Sequence, residues 1–385
     1  MIPRTLFSPD HDTFRGTVRR FIEEHVTPFH ADWEKAGQVP RELWLKAGEL
    51  GLLCVNAPEA YGGMGADFLF SAILVEEMAR AGATGPTFYL HSDIVAPYLV
   101  DFGNEEQKRK WLPRMARGEV VVALGMSEPS GGSDVQNIRT QAIRDCDEYV
   151  INGQKVFTTN GHTADLVLLA CKTDPKQKAK GVSLILVETD RPGFTRGRKL
   201  EKIGCKAQDT SELFFSDLRV PVSNLLGTEG GGFGILMTQL AGERLIQAIR
   251  AVSAAEAALE WTRTYVADRK MFGQTLADFQ NTRFTLATLH AQVLAQRVFV
   301  DRCIDLHARG ELDAVDAASC KLVTTDLQFK VMDECLQLFG GWGYMWEYPI
   351  ARAFADARMC RIGGGTAEVM KQIIANSLLP RPPKA

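Results

Sequence analysis

Small hydroxyl residues, a carboxylate and glycines gather in one stretch of the chain, Ala123-Leu124-Gly125-Met126-Ser127-Glu128-Pro129-Ser130-Gly131-Gly132-Ser133-Asp134. A strand-like run, Glu119 to Met126, leads straight into this polar loop. Glycine removes the Cβ obstruction, so backbone N–H groups and short side chains there can approach a flat, polar ligand closely. Taken alone, a Gly/Ser-rich strand exit is also the composition of an ordinary turn. A second polar rim, Thr158-Thr159-Asn160-Gly161, closes the next segment. That segment reads as two strands, Glu148 to Ile151 and Gln154 to Thr159, joined by Asn152-Gly153 in the pattern of a type I′ β-hairpin.

The elements that must position these rims fall into three blocks. Up to residue 119 the chain reads as helical on 3.6-residue periodicity. Phe14, Val18, Phe21 and Ile22 make one stripe; Pro40 opens a helix from Arg41 to Leu50, closed by Gly51. Phe68 to Ala81 is a third helix, and Asn104 caps a fourth that begins at Glu105. Residues 120–226 change to short alternating strands: Val120–Met126, Ile138–Ile143, Tyr149–Thr159, Leu166–Cys171, Val182–Val187 and Leu213–Val220. Such a succession predicts a small barrel or sandwich. From 227 to 385 helices return. Leu245, Ile249, Val252, Ala255, Leu259 and Val266 mark a long core-facing helix. Further helices near Gln280–His307, Asp313–Phe339 and Thr366–Leu378 predict a four-helix bundle. The fold class is α+β: a helical domain 1–119, a central β domain 120–226 and a helical bundle 227–385.

Composition narrows the function classes. A chain of 385 residues with 45% hydrophobic and 24% charged residues is globular. Its net charge of −3 gives no basic footprint for nucleic acid. The eight cysteines include no C-x-x-C pair and read as reduced packing residues; the seven histidines form no H-x-x-x-H pair, so no metal is expected. No apolar run is long enough for a membrane span and the N-terminus has no apolar h-region, which makes the cytoplasm the expected compartment.

Ser127-Glu128-Pro129-x-x-Gly132-Ser133-Asp134, followed by Asn152-Gly153-x-Lys155-x-Phe157-Thr158-Thr159-Asn160-Gly161, resembles the flavin-binding middle of the acyl-CoA dehydrogenase family. Further matches run from near the N-terminus to residue 375, so the resemblance covers almost the whole chain. It implies FAD, an acyl-CoA substrate oxidised to the 2,3-enoyl thioester, and electron-transfer flavoprotein as acceptor. A carboxylate removes the α-proton while a β-hydride passes to the flavin.

Most relatives carry that carboxylate in Tyr-Glu-Gly-Thr near the C-terminus. Here the stretch is Ile362-Gly363-Gly364-Gly365-Thr366-Ala367-Glu368, and the glutamate position is Gly364. The chain is then either an inactive or repurposed relative, or it resembles the isovaleryl and long-chain type, whose base comes from the start of the long helix. In Leu240-Ala241-Gly242-Glu243-Arg244-Leu245 that position is Glu243. By itself a first-turn glutamate is a solvated residue favoured by the helix dipole. Its coincidence with Gly364 assigns it as the base. The helix N-terminus would lower its pKa, and a bound acyl chain excluding water would raise it. Gly364 retains an N–H to polarise the thioester oxygen. Arg244 would hold the site's electrostatics, and Gly363 removes the wall that tyrosine provides in straight-chain enzymes, leaving room for branching or merely a flexible turn.

The resemblance also implies the remaining contacts. Leu124, Met126 and Ser127 would face the isoalloxazine ring, with Phe157, Thr158 and Thr159 on its other side; Phe157 replaces the usual tryptophan. Ser133 would touch substrate or flavin phosphate. Arg269, Phe272, Gln280 and the loop Gln337, Leu338, Phe339, Gly340, Gly341 would reach FAD of a neighbouring subunit, which implies at least a dimer and by family norm a homotetramer. Thr366 and Glu368 would complete the adenine-side or ribityl contacts. Ala241 stands where relatives place an acidic residue near the CoA end. A flavin oxidase or monooxygenase on the same scaffold, and a non-catalytic partner subunit, are the alternatives. Substrate class reads as long-chain, isovaleryl or citronellyl-type thioesters.

Overall fold

The computed structural model describes residues 2–379. Its N-terminal layer comprises α1 (Pro9–His25), α2 (His30–Ala36), α3 (Arg41–Glu49), α4 (Phe68–Arg80), α5 (Ala96–Phe102) and α6 (Glu105–Ala116). Val18, Phe21 and Ile22 of the predicted stripe pack with Trp44, Ile73, Leu74 and Phe88. The expected cap of α6 is present as a reciprocal box: Gln107 N donates to Asn104 Oδ1 at 2.9 Å, and Asn104 N donates to Gln107 Oε1 at 3.1 Å. A π-helical segment, Leu90–Val95, feeds directly into α5.

The middle layer is one hydrogen-bonded path of strands. β1 (Val122–Gly125), β2 (Gln141–Asp145), β3 (Glu148–Thr159), β4 (Leu166–Lys172), β5 (Val182–Glu188), β6 (Phe194–Lys199), β7 (Thr210–Pro221) and β8 (Leu225–Leu226) run in the order β6-β7-β3-β2-β4-β5-β8. β1 joins β4 in parallel. β4 is buried along its whole length because both faces are covered. Leu166, Leu168 and Ala170 pack with Leu99, Trp111 and Leu112 of the helical layer. Val167, Leu169 and Cys171 pack with Tyr149, Ile185, Leu213 and Phe215 in the sheet's own interior.

The structure corrects two sequence readings in this layer. Asn152-Gly153 is not a hairpin turn: β3 runs unbroken through it, and the true β2–β3 turn lies at Cys146, with φ 57°. Instead the pair forms a bulge against β7, where the register shifts between Ile151 and Gly153. Asn152 and Asp217 close it reciprocally, at 3.0 and 2.9 Å. The strands β6 and β8 were not anticipated. β6, Phe-Thr-Arg-Gly-Arg-Lys, is a basic edge strand without apolar alternation, and β8 has two residues.

The C-terminal layer holds α7 (Gly232–Asp268), α8 (Gln280–Ala308), α9 (Ala314–Phe339), α10 (Pro349–Cys360) and α11 (Ala367–Leu378), with a small hairpin of β9 (Lys270–Met271) and β10 (Gln274–Thr275). One expectation fails here. α7 starts at Gly232, so Glu243 lies about three turns inside it and not in its first turn. Glycine-rich sequence reads as loop on propensity. Phe233, Ile235 and Leu236, packed on the cluster beneath the sheet, hold those first turns helical instead.

Gly153 supplies a test of the bulge. Its φ is 147°, and a Cβ there would sit 2.7 Å from Thr140 Cα. Gly153→Ala is expected to cost about 1–3 kcal/mol, read as a lower urea midpoint at unchanged m; an unshifted midpoint would show that the bulge does not need glycine.

Candidate active site

α7 carries Glu243 into the interior, where it is 5% exposed. The hydroxyl of Tyr98, on α5, donates to its Oε1 at 2.8 Å. Gly242 lets α8 come close, since a Cβ there would meet His307 Cε1 at 3.1 Å. Burial pushes the Glu243 carboxyl up to about 7, and the Tyr98 hydrogen bond and Arg244 charge offset this only in part. The lowering by a helix N-terminus expected from sequence does not apply, because that terminus is about three turns away. Arg244 is itself buried, and its Nε has no hydrogen-bond partner among the described residues. A carboxylate in dry surroundings with a pKa near neutrality is suited to abstract a proton.

Facing it is the turn between α10 and α11. Gly364 and Gly365 have φ of 64° and 91°, which favours glycine at both. A Cβ on Gly364 would lie 3.4 Å from Gln247 Cγ and 3.7 Å from Lys321 Cε. Gln247 is one turn beyond Glu243 on the same face of α7, so this turn closes over the carboxylate. The Gly364 N–H donates to no protein acceptor among the described residues. Lys321 of α9 donates to the Gly365 carbonyl and so fixes the turn; burial lowers its pKa to about 8. At Gly363 a Cβ would meet Met359 Sδ at 2.8 Å, the far end of a flexible side chain.

The two polar rims adjoin each other. Val156 N donates to the Ser127 carbonyl at 2.9 Å, tying the end of β1 to β3. Leu124 and Met126 pack on the cluster that contains Tyr98, so the first rim lies beside the Glu243 partner. Thr158 is buried with an Oγ1 that has no partner among the described residues, Phe157 is 68% exposed with φ 58°, and Thr159 Oγ1 accepts from Gln208 Nε2 at 2.9 Å. An unsatisfied buried hydroxyl beside an open aromatic face fits a flat, hydrogen-bonding ring system. Ser133 is exposed at the loop edge. Thr366 caps α11 through Oγ1, which accepts from Val369 N at 3.3 Å, and Glu368 is exposed one residue into that helix.

Arg269, Phe272, Gln280 and Gln337–Gly341 form a second group. Phe272 is 87% exposed at the β9–β10 tip, where it and Gly273 both have positive φ. Tyr265 stacks on Phe339 at 4.1 Å and donates to its carbonyl at 3.2 Å. Gln337 is exposed rather than a core residue. Arg269 follows Glu243 by 26 residues of nearly continuous α7, roughly 39 Å along the axis. One chain therefore does not unite the two groups. Sequence reasoning assigned no role to Tyr98, Gln247 or Lys321; only tertiary packing brings Tyr98 and Lys321 here, while the i, i+4 spacing from Glu243 on α7 is the signal that could have found Gln247.

The family models match this architecture in three parts: acyl-CoA dehydrogenase N-terminal domain over residues 8–119, middle domain over 123–218 and C-terminal domain over 230–379. The chain belongs to the acyl-CoA dehydrogenase family, a family of oxidoreductases. It is 50% identical over 378 residues to the mitochondrial long-chain specific acyl-CoA dehydrogenase of Sus scrofa, covering 98% of this chain and 88% of that one. The acyl-CoA dehydrogenase of Geobacillus kaustophilus superposes with a TM-score of 0.96 at 47% identity, over 98% of this chain and 100% of that one. The Bacillus anthracis acyl-CoA dehydrogenase complexed with FAD superposes with a TM-score of 0.91 at 32% identity, over 97% of this chain and 67% of that one.

A buried carboxyl with a raised pKa makes stability depend on pH. Glu243 favours its neutral form in the fold, so its contribution is full below about 4.5 and is lost as pH rises through about 7. Glu243→Gln removes this dependence. The variant is expected to gain on wild type by on the order of 3 kcal/mol between acid and mildly alkaline pH, measured by urea unfolding; parallel pH profiles would show that Glu243 does not titrate abnormally.

Proposed function

We propose that the chain is an FAD-dependent acyl-CoA dehydrogenase in which Glu243 removes the α-proton of an acyl-CoA thioester. The observation that carries this reading is the buried Glu243 carboxyl on a face of α7 met by a turn whose Gly364 N–H has no partner among the described residues. Leu124, Met126, Ser127, Phe157, Thr158 and Thr159 would hold the isoalloxazine ring, and the open Thr158 hydroxyl is one donor for it. When bound, FAD supplies the acceptor for the β-hydride. The protein's own part is to place the substrate's α-carbon at Glu243, exclude water from it, and donate a hydrogen bond to the thioester oxygen from Gly364 N as enolate-like charge develops. Tyr98 orients the carboxylate, and Arg244 supplies a buried positive charge next to it. The product is the 2,3-enoyl-CoA, with electron-transfer flavoprotein as the onward acceptor.

The substrate class is a long-chain or branched acyl-CoA. The 50% identity to a long-chain enzyme supports the first, and the lack of a side chain at Gly363, with only the flexible end of Met359 in the place of its Cβ, is what favours the second. Arg269, Phe272, Gln280 and Gln337–Gly341 would contact FAD of a neighbouring copy, which their separation from Glu243 within one chain supports, and a homotetramer is the assembly we infer. Among the described residues no helix is long and apolar enough to cross a membrane; our reading puts the enzyme in the cytoplasm.

Anaerobic titration with straight and branched acyl-CoAs tests the chemistry. Wild type is expected to bleach its flavin absorbance, and Glu243→Gln to bind the same thioesters with its flavin still oxidised. The rate loss for the variant should be at least about 10²-fold. Equal bleaching by both proteins would exclude Glu243 as the base, and no bleaching by a flavin-loaded wild type would exclude the dehydrogenase reading.

A further inference from the structure

The face of α7 that carries Glu243 and Gln247 continues to Arg250 and Ala254. Arg250 and Ala254 line a narrow, largely apolar cavity bounded by α4, α9, α10 and the segment from Gly82 to Tyr89. Cys360 also lines it, three residues before the Gly363–Gly365 turn, so the cavity lies immediately past the base. Arg250 forms part of its wall. Its guanidinium carbon lies 4.1 Å over the Tyr89 ring, and Nη1 donates to Gln247 Oε1 at 3.0 Å. Tyr89 packs against both the cluster containing Tyr98 and the bundle core.

What distinguishes Arg250 is that no carboxylate pairs with it directly, although Asp356 lines the same cavity and its charge bears on Arg250. Among the described residues it has no carboxylate within 4.0 Å, and its single side-chain hydrogen bond leaves the rest of its donor fork free. The nearest candidate, Asp356, is committed elsewhere: it accepts from Cys205 N and, at 3.2 Å, from Thr84 Oγ1. That arrangement is itself built, since Gly204 packs where a Cβ would lie 2.5 Å from the Ala355 carbonyl carbon. Tyr89, Cys205 and Cys360 are the other titratable groups around Arg250, and burial keeps all three neutral by raising their pKa values. A guanidinium that lines a largely apolar cavity, with most of its donors unused and the one carboxylate there, Asp356, held by Cys205 and Thr84, can take an acceptor delivered by a ligand.

We propose that Arg250 forms a distal subsite for a carboxylate at the far end of the acyl chain, so that the enzyme takes ω-carboxyacyl-CoA thioesters. The inference rests on the dehydrogenase reading above. Glu243 and Arg250 are seven residues apart, about 10 Å along the helix. An extended chain advances roughly 1.2 Å per bond, so the best fit falls at about ten to twelve carbons.

The test compares the holoenzyme and its Arg250→Met variant on butyryl-CoA, on decanoyl- and dodecanoyl-CoA, and on the matching mono-thioesters of the α,ω-diacids. Wild type is expected to show a KM about tenfold or more lower for the diacid thioesters than for the plain ones. Arg250→Met should abolish that preference, improve KM for the plain chains and leave butyryl-CoA unchanged, because a short chain does not reach the cavity. Arg250→Lys, which keeps the charge, should retain part of the preference and covers the case in which the methionine variant does not fold. Equal KM values for plain and diacid chains in wild type, or a preference that survives in Arg250→Met, would overturn the subsite. Failure to oxidise butyryl-CoA as well would instead overturn the dehydrogenase reading.

Discussion

The site depends on one buried ion pair. Lys155, with a wholly buried side chain, donates to Glu128 Oε1 at 2.7 Å and to the Met126 carbonyl at 3.0 Å. Glu128 also accepts from Arg139 N at 2.6 Å and Thr140 N at 2.9 Å. A buried pair is stable only when its remaining donors and acceptors are met, and here they are. Lys155 and the two N–H groups hold the Glu128 carboxyl below the usual carboxylate range despite its burial. The consequence is geometric. The loop after β1 cannot drift from β3, so Leu124 to Ser127 stays beside Thr158, and two polar rims far apart in sequence become one cradle.

A second charge network sets the helical layers against each other. Glu76 on α4 is 1% exposed and receives Arg4, Arg15 and Arg297, at 2.6, 2.9 and 2.9 Å. Arg297 of α8 goes on to Glu256 of α7 at 2.8 Å. Despite burial, three guanidinium groups hold Glu76 down at about 2, so the cluster stays ionised at any pH near neutrality. This matters for the chemistry because Tyr98 and Glu243 come from different layers. Their 2.8 Å hydrogen bond spans α5 of the N-terminal layer and α7 of the bundle, the two layers that this network joins through α4, α8 and α7.

The sequence was most legible where one element carries the whole signal. The helix stripe of α1, the Asn104 box and the buried run of β4 each follow from local pattern, and the structure has all three. Asn152-Gly153 misled because the same dipeptide serves a tight turn and a glycine bulge, and only the partner strand β7 decides between them. The start of α7 misled for the opposite reason: tertiary contacts of Phe233, Ile235 and Leu236 override the glycines around them. That error carried into the electrostatics, since a first-turn glutamate is lowered by the helix and solvated, whereas Glu243 is raised by burial. Tyr98 and Lys321 were illegible on principle, because each meets the site from another element, whereas Gln247 follows Glu243 by one turn of the same helix.

Gly364 and Glu243 are linked by more than the vacancy of one and the presence of the other. At φ 64° the backbone of Gly364 is in a conformation that a side chain adopts only with strain. A Cβ there would come into ordinary contact with Gln247 Cγ, at 3.4 Å, and face Lys321, which holds the next carbonyl. The turn thus presents a backbone N–H to the site, and with no side chain at 364 the proton acceptor has to come from elsewhere. A glutamate at 364 would in addition bring a second negative charge to a pocket where one carboxyl already resists ionisation, and each would raise the other's pKa. A base on α7 and a bare glycine turn opposite it are therefore one arrangement: the helix supplies rigidity and burial for the proton acceptor, and the turn contributes a backbone hydrogen bond.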